Sequence, residues 1–177
     1  MKLILNMSAG FRSSKTATTL QKRRRPLVVG CSIGHSKITA GTLGCFVKDR
    51  ATGEILILSN NHVLANENDA QEGDKIIQPG KVDGGKVSSD TIGQLSRFVK
   101  LKKTRANLID CALSSIKTTI NSNPRKLGSF GNIAGLGAAV VVYGTDVRKV
   151  GRTTGETKGR VTAYELDNVV ITYDIGD

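Results

Sequence analysis

Two residues have side chains and surroundings suited to acid–base chemistry. His62 comes shortly after the apolar run 55–58, and Asp110 lies between Ile109 and Cys111. A carboxylate among apolar neighbours is costly to bury unless a donor satisfies it, and a histidine ring N–H is such a donor. That pairing fixes the ring tautomer and makes the second ring nitrogen a general base. The alternative is a core histidine and an unrelated capping aspartate, and spacing alone favours neither.

Short apolar runs, separated by turn residues, predict the elements that must position this pair. Glycine is frequent, with 20 residues, and clusters of Gly, Asn and Asp divide the runs. Many short strands at such spacing are typical of an all-β barrel or sandwich. One helical turn is predicted over Val63–Asn68. The predicted strands are Leu27–Ile33, Ile38–Lys48, Ile55–Ser59, Thr91–Val99, Leu108–Ile116, Ala138–Tyr143, Arg160–Tyr164 and Val169–Tyr173.

The net charge of +11, from 26 basic and 15 acidic residues, is concentrated in two segments. Residues 1–26 and 97–105 contain basic but no acidic residues, and the rest of the chain is close to neutral. A nucleic-acid-binding surface needs a basic face with stacking aromatics, so this distribution argues against a nucleic-acid partner. A nucleic-acid or anionic-surface binder that uses residues 12–25 and 97–105 stays an alternative. We expect residues 1–25 to form a flexible basic arm.

Cysteine usage and the N-terminus indicate a cytoplasmic protein. Cys31, Cys45 and Cys111 leave at least one thiol unpaired, whereas secreted domains usually have an even number. The apolar run 3–5 is too short for a signal peptide, and no run is long enough to span a membrane. The histidines and cysteines show no metal-ligand spacing, so neither a metal nor a cofactor is expected. His35 follows a glycine in a predicted turn and is expected at the surface.

The segments around His62 and Asp110 resemble the catalytic-histidine and catalytic-aspartate segments of trypsin-like serine proteases. The two residues are 48 positions apart. The family's template has about 45 between these two roles, in the same order. A further segment resembles the second barrel of bacterial, streptogrisin-like members. The matching segments run in the family order: Thr39–Cys45, Ile57–Leu64, Leu108–Leu113 and Gly151–Ala163.

The resemblance implies an all-β fold of two antiparallel β-barrels with the catalytic residues in the cleft between them. Residues 26–120 would form the first barrel, and residues 121–177 would form a linker and an incomplete second barrel. The implied activity is that of a serine endopeptidase acting on a polypeptide substrate. His62 would be its general base, and Asp110 would be the carboxylate that orients the histidine.

The sequence departs from the family pattern at the nucleophile. It contains no Gly-Asp-Ser-Gly motif, and no serine follows Ser129. The template places the nucleophile about 90 residues after the aspartate, which is beyond Asp177. We therefore expect a truncated protease that is inactive alone and associates through the exposed edge of its second barrel. One alternative is a non-catalytic binding module derived from a protease. Another is a Cys–His pair of Cys45 or Cys111 with His62.

Overall fold

The structure, a computed structural model, describes residues 19–102, 104–135, 137 and 141–164. Their regular secondary structure is mostly β, with two short α-helices, α1 (Asn61–Leu64) and α2 (Val87–Asp90). No helix among the described residues is long and apolar enough to cross a membrane. The strands are β1 (Ser32–His35), β2 (Gly41–Thr42), β3 (Cys45–Lys48), β4 (Ile55–Ser59), β5 (Lys75–Ile77), β6 (Thr91–Phe98), β7 (Ala112–Ser114), β8 (Asp146–Gly151) and β9 (Gly155–Arg160).

Strands β1–β7 form one curled antiparallel sheet in the order β2-β1-β5-β6-β7-β4-β3. Its edge strands β2 and β3 are consecutive in the chain and are separated only by Leu43 and Gly44. The two edge strands therefore meet at this corner, and the sheet curls into a half-barrel. The N–H of Gly44 donates to the carbonyl of Leu58 at 3.1 Å. A Cβ on Gly44 would lie 2.9 Å from that carbonyl oxygen, so the corner requires glycine.

Aliphatic side chains from the strands and from helix α1 fill the inside of the half-barrel. Ile33, Ile57, Ile76 and Ile92 are all fully buried. Burial of such a side chain stabilises the fold by about 1.5–3 kcal/mol. Leu64 of α1 is also fully buried, so the helical turn that carries His62 is anchored in the core.

Strands β8 and β9 form a separate hairpin whose tip rests on the first sheet. The guanidinium of Arg152, in the hairpin turn, donates from Nε and Nη2 to the two carboxylate oxygens of Asp83, each at 2.6 Å. The backbone N–H of Arg152 donates to Oγ1 of Thr42 at 3.1 Å. Val150 is 9% exposed, and a Cβ on Gly30 would meet its Cγ1 at 2.4 Å. Charge pairing and close packing both attach the hairpin to the half-barrel.

The last part of the predicted flexible arm lies against the sheet; residues 1–18 are outside the described residues. Leu20 is 7% exposed and belongs to the core. The side chain of Gln78 holds the segment from both sides. Its Nε2 donates to the carbonyl of Lys22 at 3.0 Å, and its Oε1 accepts from the N–H of Arg24 at 2.9 Å. The flexible arm was predicted from its charge alone. Charge does not show that the backbone of Lys22 and Arg24 binds the side-chain amide of Gln78.

Several predicted strands are shorter than their apolar runs. The run 38–48 divides into β2 and β3 at the sheet corner, and the run 108–116 contains only β7. Leu108 is 99% exposed and Ile109 is 56% exposed, because this part of the run is a surface loop. Apolar composition therefore overestimated the strand length in the run before His62 and in the run that contains Asp110.

The second sheet differs from the predicted strands. The predicted strand Arg160–Tyr164 is wrong, because the strand of this region is β9, which ends at Arg160, where the predicted strand begins. The sequence of β9, GETKGR, has no aliphatic side chain and is mostly exposed, so backbone pairing with β8 carries it. In the predicted strand Ala138–Tyr143, residues 141–143 are not strand and residues 138–140 lie outside the described residues. The predicted strand Val169–Tyr173 also lies outside them.

Candidate active site

His62 occupies a single helical turn directly after a buried strand. The apolar strand β4 ends at Ser59, and Asn60 keeps an extended backbone with φ −76° and ψ 155°. Asn60 is the N-cap of α1, but its side chain does not cap the helix. Its Nδ2 instead donates to the backbone carbonyl of Asp110 at 3.0 Å. The chain is thus held to the aspartate segment at the point where it turns out of the sheet.

The pairing register between β4 and β7 brings Asp110 to His62. Ser59 lies opposite Ala112 in this antiparallel pair. Since antiparallel strands run in opposite directions, the residues after Ser59 approach the residues before Ala112. The backbone N–H of Asn61 accordingly donates to Oδ1 of Asp110 at 2.6 Å. One oxygen of the Asp110 carboxylate is therefore held by the backbone, independently of His62.

The second carboxylate oxygen is bound by the histidine ring. Nδ1 of His62 lies 2.6 Å from Oδ2 of Asp110. A carboxylate only accepts, so the proton of this bond is on Nδ1, and Nε2 is the ring nitrogen that can take up a proton. The side chain of His62 is 37% exposed, whereas that of Asp110 is 15% exposed. The carboxylate is thus shielded while part of the ring reaches solvent.

A cleft of about 330 Å³ opens beside the histidine. The loop Lys37–Ala40 forms one side, and His62, Val63, Asn66 and Glu67 form the other. One hydrogen bond holds this loop to His35, the last residue of β1. The N–H of Lys37 donates to Nδ1 of His35 at 3.2 Å. A group bound in this cleft would lie against the imidazole.

The expectation that His35 lies at the surface is wrong. His35 is 0% exposed, and its Nε2 lies 3.1 Å from Oδ2 of Asp74. Since its Nδ1 accepts from Lys37, the ring proton is on Nε2 and points to the carboxylate. Hydrogen bonds from the N–H of Gln71 and from His35 hold the pKa of Asp74 below its ordinary value. The protein therefore has a second His–Asp pair, with a buried imidazole and a carboxylate side chain that is 36% exposed, and it supports the loop beside the cleft.

Cys45 is poorly suited to the alternative of a nucleophilic Cys–His pair with His62. His62 is oriented by Asp110, and all three cysteines are free thiols in the described part of the chain. Burial raises the pKa of the Cys45 thiol above its ordinary value, which disfavours the thiolate that a nucleophile requires. No group of His, Cys, Asp and Glu that could hold a metal ion occurs among the described residues.

Part of the basic charge is already neutralised within the protein. Nε of Arg23 donates to Oδ1 of Asp90 at 3.0 Å, and Nη2 of Arg97 donates to Oδ2 of Asp49 at 2.5 Å. Hydrogen bonds from the backbone of Thr52 and from Arg97 lower the pKa of Asp49 to about 2, so this partner is charged at neutral pH. These contacts weaken the alternative of an anionic partner bound by the two basic segments.

Sequence reasoning missed the asparagines around the pair. The side chain of Asn61 is fully buried, and Asn68 lies in a left-handed backbone conformation with φ 84°. The only local signal is the polar dipeptide 60–61 directly after the apolar strand, which is unusual before a buried turn.

No protein-family model matches the chain, and no curated protein sequence matches it significantly.

Proposed function

We propose that this chain carries the general-base half of a trypsin-like serine endopeptidase site. The observation that supports the proposal is the 2.6 Å contact between Nδ1 of His62 and Oδ2 of Asp110 beside an open cleft. Under the proposal residues 26–120, which contain the half-barrel, form the first of two β-barrels, and the β8–β9 hairpin belongs to the second. The nucleophilic serine would lie in a segment that follows residue 177.

Each side chain has a defined part in the proposed reaction. The serine hydroxyl would attack the carbonyl carbon of the scissile peptide bond, and Nε2 of His62 would accept its proton. The carbonyl oxygen would become the oxyanion of a tetrahedral intermediate. Its collapse breaks the C–N bond, and His62 returns the proton to the leaving amine, which leaves the acyl group on the serine. Water that gives its proton to His62 would then hydrolyse this ester and restore the serine hydroxyl. Asp110 would keep Nδ1 protonated and stabilise the imidazolium that forms between these steps.

The Asp110 carboxylate is held in a fixed orientation, as its proposed role requires. Its two oxygens accept from different groups, the N–H of Asn61 and Nδ1 of His62. The Asp110 carboxylate therefore cannot rotate away from the imidazole without also losing its hydrogen bond to the N–H of Asn61. Such preorganisation is what a catalytic histidine requires of its orienting group.

The test is to express the chain together with whatever its reading frame encodes beyond residue 177, and to measure peptide-ester hydrolysis. We expect hydrolysis, and labelling by a fluorophosphonate probe at a serine after residue 177. His62→Ala should lower kcat by about 10⁶-fold, and Asp110→Asn by about 10⁴-fold, with smaller effects on KM. His35→Gln is the comparison variant: it changes the His–Asp pair that supports the cleft loop, so it should raise KM more than it lowers kcat.

Residues 1–177 alone should not turn over the ester. Turnover by this chain that His62→Ala abolishes would overturn the placement of the serine. A reading frame that ends without a serine motif would favour the binding-module alternative, for which the absence of Gly-Asp-Ser-Gly is the specific support. A fall of kcat in folded His35→Gln as large as in His62→Ala would also contradict the assignment.

A further inference from the structure

An asparagine network surrounds the His62 turn. Nδ2 of Asn61 donates to the carbonyl of Val99 at 2.7 Å and to Oδ1 of Asn68 at 2.9 Å. Both partners are acceptors, so the orientation of this buried amide is determined by its contacts. The residue directly before His62 is thus tied to two other segments of the chain.

The side chain of Asn68 continues the network to Leu101. Its Nδ2 donates to the carbonyl of Leu101 at 2.8 Å, and its Oδ1 accepts from the N–H of Leu101 at 2.8 Å. One amide therefore binds both backbone groups of Leu101, as a neighbouring strand would. This contact fixes the chain just after β6, in the connection that leads to Asp110.

The network closes on the aspartate itself. The N–H of Val99 donates to the carbonyl of Cys111 at 3.0 Å, and Cys111 directly follows Asp110. The N–H of Asn61 donates to the Asp110 carboxylate at 2.6 Å. A ring of hydrogen bonds thus runs from Asn61 through Val99 and the aspartate segment back to Asn61.

Two features of the network disfavour a role in stability alone. Oδ1 of Asn61 is buried and accepts no hydrogen bond from the described residues, which is an unfavourable state for a polar atom. The chain at Asn66, Glu67 and Asn68 has φ values of 46°, 56° and 84°, a left-handed conformation that glycine would adopt at lower cost. Such conformations persist where surrounding contacts hold them, and they concentrate at functional sites.

We propose that Asn61 and Asn68 are positioning residues, whose side-chain amides hold the His62 turn in register with the segment that carries Asp110. The inference rests on the proposed function for its catalytic meaning. Its structural content, the dependence of the His62–Asp110 hydrogen bond on these amides, is measurable in residues 1–177 alone.

The sharpest variant is Asn68→Gly. Glycine accepts the left-handed backbone at this position, so the change removes the amide without adding backbone strain. The matched control is Asn107→Gly. Asn107 makes the same kind of clamp in the same connection, since its Oδ1 accepts from the N–H of Lys102 at 2.8 Å and its Nδ2 donates to the carbonyl of Lys102 at 2.9 Å. It has no hydrogen bond to Asn61 or to Asn68.

The readout is nitrogen-edited NMR of the imidazole, which reports the ring tautomer and the hydrogen-bonded Nδ1 proton. We expect a low-field Nδ1 proton for His62 in the unchanged protein and in Asn107→Gly. In Asn68→Gly this signal should weaken or move upfield, and the ring nitrogens should show mixed tautomers. In the extended, active chain the same variant should lower kcat by about 10²-fold with KM nearly unchanged, because a small misplacement of the base mainly affects the chemical step.

The outcomes separate this inference from the proposed function. An Nδ1 signal in Asn68→Gly equal to that of the unchanged protein overturns the inference, and so does an equal loss in Asn107→Gly. If Asn68→Gly does not fold, Asn68→Asp gives the same test, since it loses the donor to Leu101 and keeps the acceptor. An extended chain with no hydrolysis defeats the proposed function, while the NMR result still decides the inference.

Discussion

Replacing Arg152 by alanine should release the tip of the β8–β9 hairpin from the half-barrel. The guanidinium and the Asp83 carboxylate form a bidentate pair with two 2.6 Å contacts, and their side chains are 17% and 8% exposed. The substitution leaves the shielded carboxylate without its cationic partner. The loss therefore includes the cost of an unpaired charge as well as two hydrogen bonds.

The expected loss of stability follows from this burial. Removing one partner of a fully buried ion pair costs about 3–5 kcal/mol, and an exposed pair contributes about 0–1 kcal/mol. The Arg152–Asp83 pair is shielded but lies near the surface, so we expect about 2–3 kcal/mol. For a chain of this size the melting temperature should fall by about 5–10 °C.

Thermal and urea unfolding of the purified variants measure the effect. The matched control is Arg160→Ala, because Arg160 is on the same hairpin and its Nε lies 2.9 Å from Oδ1 of Asp146. That pair is 73% and 75% exposed, so its loss should cost less than about 1 kcal/mol. Hydrogen exchange should show faster exchange of the β8–β9 amides in Arg152→Ala than in Arg160→Ala.

Acid should reduce the difference between Arg152→Ala and the unchanged protein. Burial raises the pKa of Asp83, but the hydrogen bonds from Arg152 and Ser32 and the charge of Arg152 outweigh it and hold the pKa below the ordinary 3.8. A carboxyl with a lowered pKa in the folded state stabilises the protein above its unfolded pKa, and this stability is lost as pH falls through the folded value. The difference should be full at neutral pH and shrink below about pH 4. A loss as small as that of Arg160→Ala, or one independent of acid, refutes the reasoning.

Two further predictions concern the core of the half-barrel. Gly93→Ala in β6 should destabilise the protein by roughly 3 kcal/mol, because the added Cβ would lie 1.8 Å from the backbone oxygen of Ser115. Gly135→Ala, whose Cβ meets no atom within 4 Å, is the control in urea unfolding, and equal midpoints for the two would contradict the prediction. Burial raises the pKa of Cys31 to about 11, so this thiol should react with iodoacetamide only after unfolding. Rapid labelling of Cys31 in the native protein, detected by mass spectrometry, would show that the thiol is accessible.

Local patterns determined much of the strand content and nominated the candidate residues. Short apolar runs between turn residues predicted the strands Ile55–Ser59 and Thr91–Val99, and the structure has β4 and β6 at these positions. The setting of His62 and Asp110 made them candidates for an acid–base pair, because a charged group beside apolar residues needs a partner. These signals lie within a few residues of one another, so they can be read along the chain.

Tertiary structure decided which groups meet. The 2.6 Å contact of His62 with Asp110 depends on the register of β4 with β7, which no local pattern specifies. His35 was expected at the surface, yet a carboxylate 39 residues away allows its burial. The pair of Arg152 with Asp83 joins residues 69 positions apart in the same way. Hydrophobic periodicity reports which face of an element is buried, whereas hydrogen bonds between distant segments depend on how the elements pack, and only the folded chain specifies that.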